Sequence, residues 1–152
     1  MVTHAQPLHR SGLVERYDEI RALTVKLCQP LAIEDYGVQS IPEASPPKWH
    51  LAHTSWFFET IILRPWVSDY RSIDERYQAF FNSYYVSVSD LVPQASRGTF
   101  SRPTVEDVFA YRQHVDRAMQ RWLESSPNPE HRHVFEVGLQ HEQQPQALLL
   151  MD

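Results

Sequence analysis

Two histidines, His53 and His141, are the residues of this sequence whose type and position could do chemistry together. Each falls on an apolar stripe. Trp49, His53, Trp56, Thr60 and Leu63 share one helical face, and Val134, Val137 or Gly138, His141, Gln144 or Pro145, and Leu148 share another. An inward imidazole can ligate a metal ion, and a second imidazole four residues after His141 would lie beneath it and share that ion. The residue there is Pro145, which offers no ligand atom and no N–H for the carbonyl of His141. In a helix interior such a proline costs about 3 kcal/mol and tends to kink the axis. The spacing therefore yields two candidate ligands on different helices. Taken alone, a histidine between two tryptophans also reads as a buried neutral ring bonded to a neighbour.

The elements that must position these residues are helices. Leu13, Tyr17, Ile20, Leu23 or Thr24, and Leu27 recur at helical spacing between Ser11, a suitable N-cap, and Pro30, a stop. Residues 31–47 carry Gly37, Pro42, Pro46 and Pro47 and form a connection. Ser45 as cap and Pro46 in the first turn open a second helix that runs to Pro65. His50, Phe57 and Ile61 lie about 100° round from its main stripe, so this helix is apolar on more than one side and belongs inside a bundle. Thr104 and Asp107 make a capping box before Val108, Tyr111 or Arg112, Val115, Met119 and Trp122. Asn128 then caps and Pro129 starts a fourth helix that contains His141. Val67 to Pro103 has no clean period; its adjacent tyrosines, Tyr84 and Tyr85, are packing residues or phenols able to give a proton beside a metal. The sum is an all-α four-helix bundle with long connections, a single domain over residues 1–152.

Composition excludes several functions. A net charge of −5 with both signs scattered leaves no basic stripe for nucleic acid and no polybasic segment for a membrane surface. The apolar run Leu148 to Met151 is too short to span a bilayer, and the first ten residues lack a signal-peptide core, so the expectation is cytoplasmic. The single cysteine, Cys28, reads as a small buried hydrophobe. His4, His9, His114, His131 and His133 occupy polar or terminal contexts and read as solvated.

The blocks SPPKWHLAHTSWFFET, FNSYYVSV, SRPTVEDVFAYRQHVD and GLQHEQQPQALLLMD resemble, in order, the amino-terminal DinB-like domain of EgtB-type enzymes, the non-haem iron sulfoxide synthases of ergothioneine biosynthesis. The resemblance covers most of the chain and implies a DinB-like bundle. In that family three histidines hold Fe(II), one from the second helix and two from an HEQQH block. The matching positions here are His53 and His141, and the third falls at Pro145. The resemblance also implies that Tyr84 and Tyr85 match a tyrosine pair near the iron, and Arg97 and Arg102 are candidates for a substrate carboxylate.

The implied substrates are cysteine or γ-glutamylcysteine, N-α-trimethylhistidine and dioxygen, joined through an oxygen-dependent C–S bond. Family members continue into a carboxy-terminal domain similar to the formylglycine-generating fold. The expectation is that a partner chain supplies it, or that the present chain is incomplete or impaired alone. A DinB-like metal-dependent thiol transferase and a non-catalytic bundle serving as an interaction module are the competing readings.

Overall fold

The computed structural model describes residues 10–83 and 92–151. Four main helices carry it: α1 (Arg10–Cys28), α2 (Pro47–Phe58), α3 (Val105–Glu124) and α4 (Pro129–Met151). There is no strand among the described residues, so the all-α expectation holds. α2 lies against α3 and α4, and α1 lies against the same two helices.

The inward face of α1 is Leu13, Tyr17, Arg21, Thr24 and Cys28, a 3-4 spacing in which Thr24 points inward and Leu23 stands exposed. Cys28 is a free thiol packed in the core, as expected. α2 is buried from Trp49 through Phe58, on every side, because it is the central helix. Its cap is Pro46 rather than Ser45, with Pro47 in the first turn.

Nor does α2 run as a regular helix to Pro65. Its hydrogen bonding widens to a π-helical segment at Glu59–Leu63 and then closes in one turn, Arg64–Trp66. The widening falls where the buried carboxylate of Glu59 accepts hydrogen bonds from the hydroxyls of Tyr70, at 2.9 Å, and Tyr111.

α3 begins where the capping box places it. The Asp107 amide donates to Thr104 Oγ1 at 3.1 Å, and the Thr104 amide donates to Asp107 Oδ2 at 2.9 Å. Tyr111 and Arg112 both point inward. Asn128 Oδ1 caps α4 by accepting from the His131 amide at 2.8 Å.

α4 is helical through Pro145 and continues to Met151. One expectation for it is corrected. Its buried face is Phe135, Gly138, Leu139, Glu142, Pro145 and Gln146, turned by one residue from the apolar stripe, so that Val137 and Leu148 are exposed. The cause is polar: Glu142 pairs with Arg21 and Arg112, while Gln146 Nε2 donates to Ile20 O at 2.9 Å and Thr24 Oγ1 at 3.1 Å. Gly138 permits the close approach of α4 to α2, since a Cβ there would stand 2.6 Å from a ring carbon of Phe58.

Between helices, Gln39 ties the 3-10 turn Gln94–Thr99 to the connection before α2. Its amide donates to Ala44 O at 2.8 Å and Gln94 O at 2.7 Å, and its oxygen accepts from the Gly98 amide at 2.8 Å. His131 is not simply solvated: its ring stacks on Trp66 at 3.7 Å between centroids. His114 Nε2 lies 2.7 Å from Arg71 O. No helix among the described residues is long and apolar enough to cross a membrane.

Candidate functional site

His53 and His141 meet. Their Nε2 atoms are 3.1 Å apart at one wall of a cavity of about 200 Å³ whose lining also includes Trp49, His50, Arg97 and Pro145. The helices bring them together because His53 sits mid-way along the fully buried α2 and His141 at the border of the buried face of α4.

The ring of His53 is fixed from three sides. Trp49 stacks on it at 4.4 Å between centroids, Trp56 at 5.6 Å, and His53 Nδ1 lies 2.5 Å from Phe81 O. A carbonyl can only accept, so the Nδ1–H donates to it and the lone pair of His53 is at Nε2, facing His141. Without a metal, the Nε2–H of His141 then donates to His53, and His141 Nδ1 remains buried with no hydrogen-bond partner. Phe57 stacks on His141 at 4.6 Å. Ser83 Oγ is 3.5 Å from His53 Nε2.

Burial keeps these imidazoles neutral. It pushes His53 down to about 3, helped by the neighbouring His141, and it lowers His141 as well. His50 is pushed down to about 4 by burial first and by the charge of Arg97 second. Neutral nitrogen is the form that ligates metal.

The fit to a metal ion can be tested on distances. Two nitrogens at about 2.1 Å from one ion and at right angles to each other are separated by about 3.0 Å. The observed 3.1 Å matches that separation. The carbonyl on His53 Nδ1 is the outer-sphere partner that metal-bound histidines commonly have. The pair is spaced as two adjacent positions of a metal would be, a spacing that the hydrogen bond between the two rings gives as well. Beyond it, no set of three His, Cys, Asp or Glu side chains is placed to hold a metal among the described residues. Pro145 lines the cavity without a donor.

Glu142, although next to His141 in sequence, is turned the other way. It is fully buried; Thr24 Oγ1 donates to its Oε1 at 2.7 Å, Arg112 to Oε1 at 3.2 Å and Arg21 to Oε2 at 3.0 Å. Burial alone would raise its carboxyl, but Arg21 and Arg112 more than offset this and hold it at about 2. The network extends through Arg21 to Asp116, at 2.7 Å, and to Ser55 Oγ, at 2.7 Å, and through Arg112 to Thr54 Oγ1, at 2.9 Å. Its position fixes the rotation of α4 and so the aim of His141.

Of the remaining candidates, Arg97 is at the cavity. Its guanidinium lies over the Trp49 ring at 3.6 Å and donates to Ser45 Oγ at 2.8 Å. Arg102 is not there: it is exposed, its NH1 is 3.4 Å from Ser101 O, and it borders a separate small cavity with Phe80 and Phe100. Tyr84 and Tyr85 lie outside the described residues.

Two features had little signal in the sequence. His50 joins the cavity although it is off the stripe that carries His53, and its HxxH spacing to His53 is the one clue. Arg21 and Arg112 sit at core positions of amphipathic helices, where a charged residue calls for a buried partner.

A model of the DinB superfamily matches residues 16–150, from the second turn of α1 to the last turn of α4. No curated protein matches the chain.

Proposed function

Because the chain belongs to the DinB superfamily, we propose that it is a metal-binding DinB-like domain in which His53 and His141 hold one divalent ion at the cavity between α2 and α4. The observation that carries this reading is the 3.1 Å between their Nε2 atoms, with the proton of His53 drawn off to Phe81 O. More finely, the proposed ion is Fe(II) and the proposed reaction is the oxygen-dependent joining of cysteine or γ-glutamylcysteine to N-α-trimethylhistidine, the EgtB-type chemistry that the HLAH and HEQQ blocks resemble.

When bound, the ion would supply a Lewis-acidic centre that favours a ligated thiolate over a thiol. The chain's own residues do the rest. Phe81 O holds the His53 tautomer, and Trp49 and Trp56 shield that ring from water. Arg97, stacked on Trp49 and bonded to Ser45 at the cavity, is the residue proposed to take a carboxylate of the substrate. The proton-donor role for Tyr84 and Tyr85 is part of the proposal and falls outside the described residues.

The test is an anaerobic Fe(II) titration followed by metal analysis after desalting. The expected result is about one iron per chain, with binding lost in His53→Ala and in His141→Ala while both variants remain folded by circular dichroism. Iron binding that survives both substitutions would remove the site. Incubation with thiol, N-α-trimethylhistidine and dioxygen then separates the two enzymatic readings. Sulfoxide formation supports the EgtB-type reaction, and oxygen-independent addition of the thiol to an electrophile supplied in its place, such as an epoxide that opens to a thioether alcohol, would replace it with a thiol transferase.

A further inference from the structure

On that reading the site has two protein nitrogens, and Pro145 stands where α4 could have supplied another. We infer that the third nitrogen comes from α2, where His50, one helical turn before His53, takes the place of the donor that α4 lacks.

The register of the two helices puts His50 there. Gly138 faces the rings of Phe58 and Phe57, and one turn further along α4 His141 faces Phe57 and His53. Each turn toward the end of α4 is thus a turn toward the start of α2, so the helices are antiparallel. The next turn brings Pro145 to the level of His50, and both line the cavity that holds the histidine pair. A histidine at 145 would have filled this part of the cavity; the compact proline ring leaves it to His50.

The state of His50 is the second observation. The residue is 4% exposed, and neither ring nitrogen has a hydrogen-bond partner. A buried polar atom left unpaired is costly, and native structures rarely keep one without a use. His50 and His53 are three residues apart on one helix, a spacing that makes their side chains neighbours on its surface and that metal sites in bundles use. Gln144 also borders the cavity, but it is exposed.

Among the described residues no third His, Cys, Asp or Glu is placed to complete a metal set with the pair, so the His50 ring must swing toward it from its present rotamer. The swing gives one orphaned nitrogen an ion in exchange for no existing hydrogen bond. Loaded, the site is His50, His53 and His141, three neutral nitrogens with open positions for exogenous ligands.

Co(II), a redox-stable stand-in for Fe(II), tests this on the whole chain without reference to turnover. Paramagnetically shifted, exchangeable imidazole N–H resonances count the ligated histidines. The wild type is expected to show three and His50→Phe two, with Co(II) affinity in competition with a chelator falling at least tenfold in that variant. Two resonances in the wild type, or unchanged affinity in a folded His50→Phe, overturn the role of His50 and leave the His53 and His141 pair standing. If His50→Phe does not fold, the wild-type count decides. A wild type that binds no Co(II) overturns both the pair and its third member.

Discussion

Replacing Glu142 by Gln removes one negative charge from the centre of the bundle while keeping the side chain's size. In the wild type this carboxylate is fully buried and receives Arg21 at 3.0 Å, Arg112 at 3.2 Å and Thr24 at 2.7 Å. Arg21 would keep Asp116 at 2.7 Å. Arg112 would keep the neutral acceptors Leu51 O, Thr54 Oγ1 and Arg21 O. Breaking a buried pair in this way costs about 3–5 kcal/mol, since a buried cation loses its counter-charge.

The titration of Glu142 gives a second route to the magnitude. Folding takes its carboxyl from an ordinary 4.5 to about 2. A depression of that size corresponds to about 3 kcal/mol of stability. Because the folded value is the lower one, this stability is fully present above the unfolded value and is lost as pH falls through the folded one.

Urea unfolding of both proteins measures the difference through the midpoint and slope. Near pH 7 the variant is expected to be about 3 kcal/mol less stable, and the gap should close progressively from about pH 4.5 to pH 2. A gap below about 1 kcal/mol at neutral pH, or one that stays constant on acidification, would refute the account of Glu142 as the paired charge that sets α4.

Other substitutions probe the same helix. Gly138→Ala should cost about 1–3 kcal/mol, because its methyl would enter the Phe58 ring and force α4 outward; metal affinity should fall with it as His141 moves from His53, and an isothermal titration that finds no change would contradict the close approach. Pro145→Ala should raise stability by about 1–3 kcal/mol, since the helix already continues through this position and gains the missing N–H toward the His141 carbonyl; thermal melts check the sign.

Much of the helical framework is legible in the chain. The capping box of Thr104 and Asp107, the cap at Asn128 with Pro129, and the stop after Cys28 are local chemistry, decided within a turn of sequence, and they agree with the structure to within a residue or so. His53 and His141 were also findable, as inward imidazoles on two helices. The rotation of α4 was not. Apolar spacing favours a face with Leu148 and Val137 on it, and the face that is buried carries Glu142 and Gln146 instead. The pattern ranks residues by hydrophobicity, whereas the choice was made by a carboxylate whose partners lie on α1 and α3, more than a hundred residues away in the case of Arg21. The path of the chain after Phe58 was equally hidden, because the π-helical segment coincides with the demands of Tyr70 and Tyr111 on Glu59.

The sequence by itself determined that this protein is helical, where α3 and α4 begin, and that two histidines point inward. Those outcomes rest on periodicity, caps and prolines, which act over a few residues. By contrast, α1 is already helical at Arg10, ahead of the expected cap Ser11, and α2 is capped by Pro46. Only the tertiary structure decided that the two rings meet at 3.1 Å, that Arg97 joins them while Arg102 does not, and that His50 shares their cavity unpaired. The reason is register: how far α4 slides and turns on α2 is set by the fit of Gly138 to Phe58 and by the buried charges around Glu142, and both are interactions between elements rather than within them.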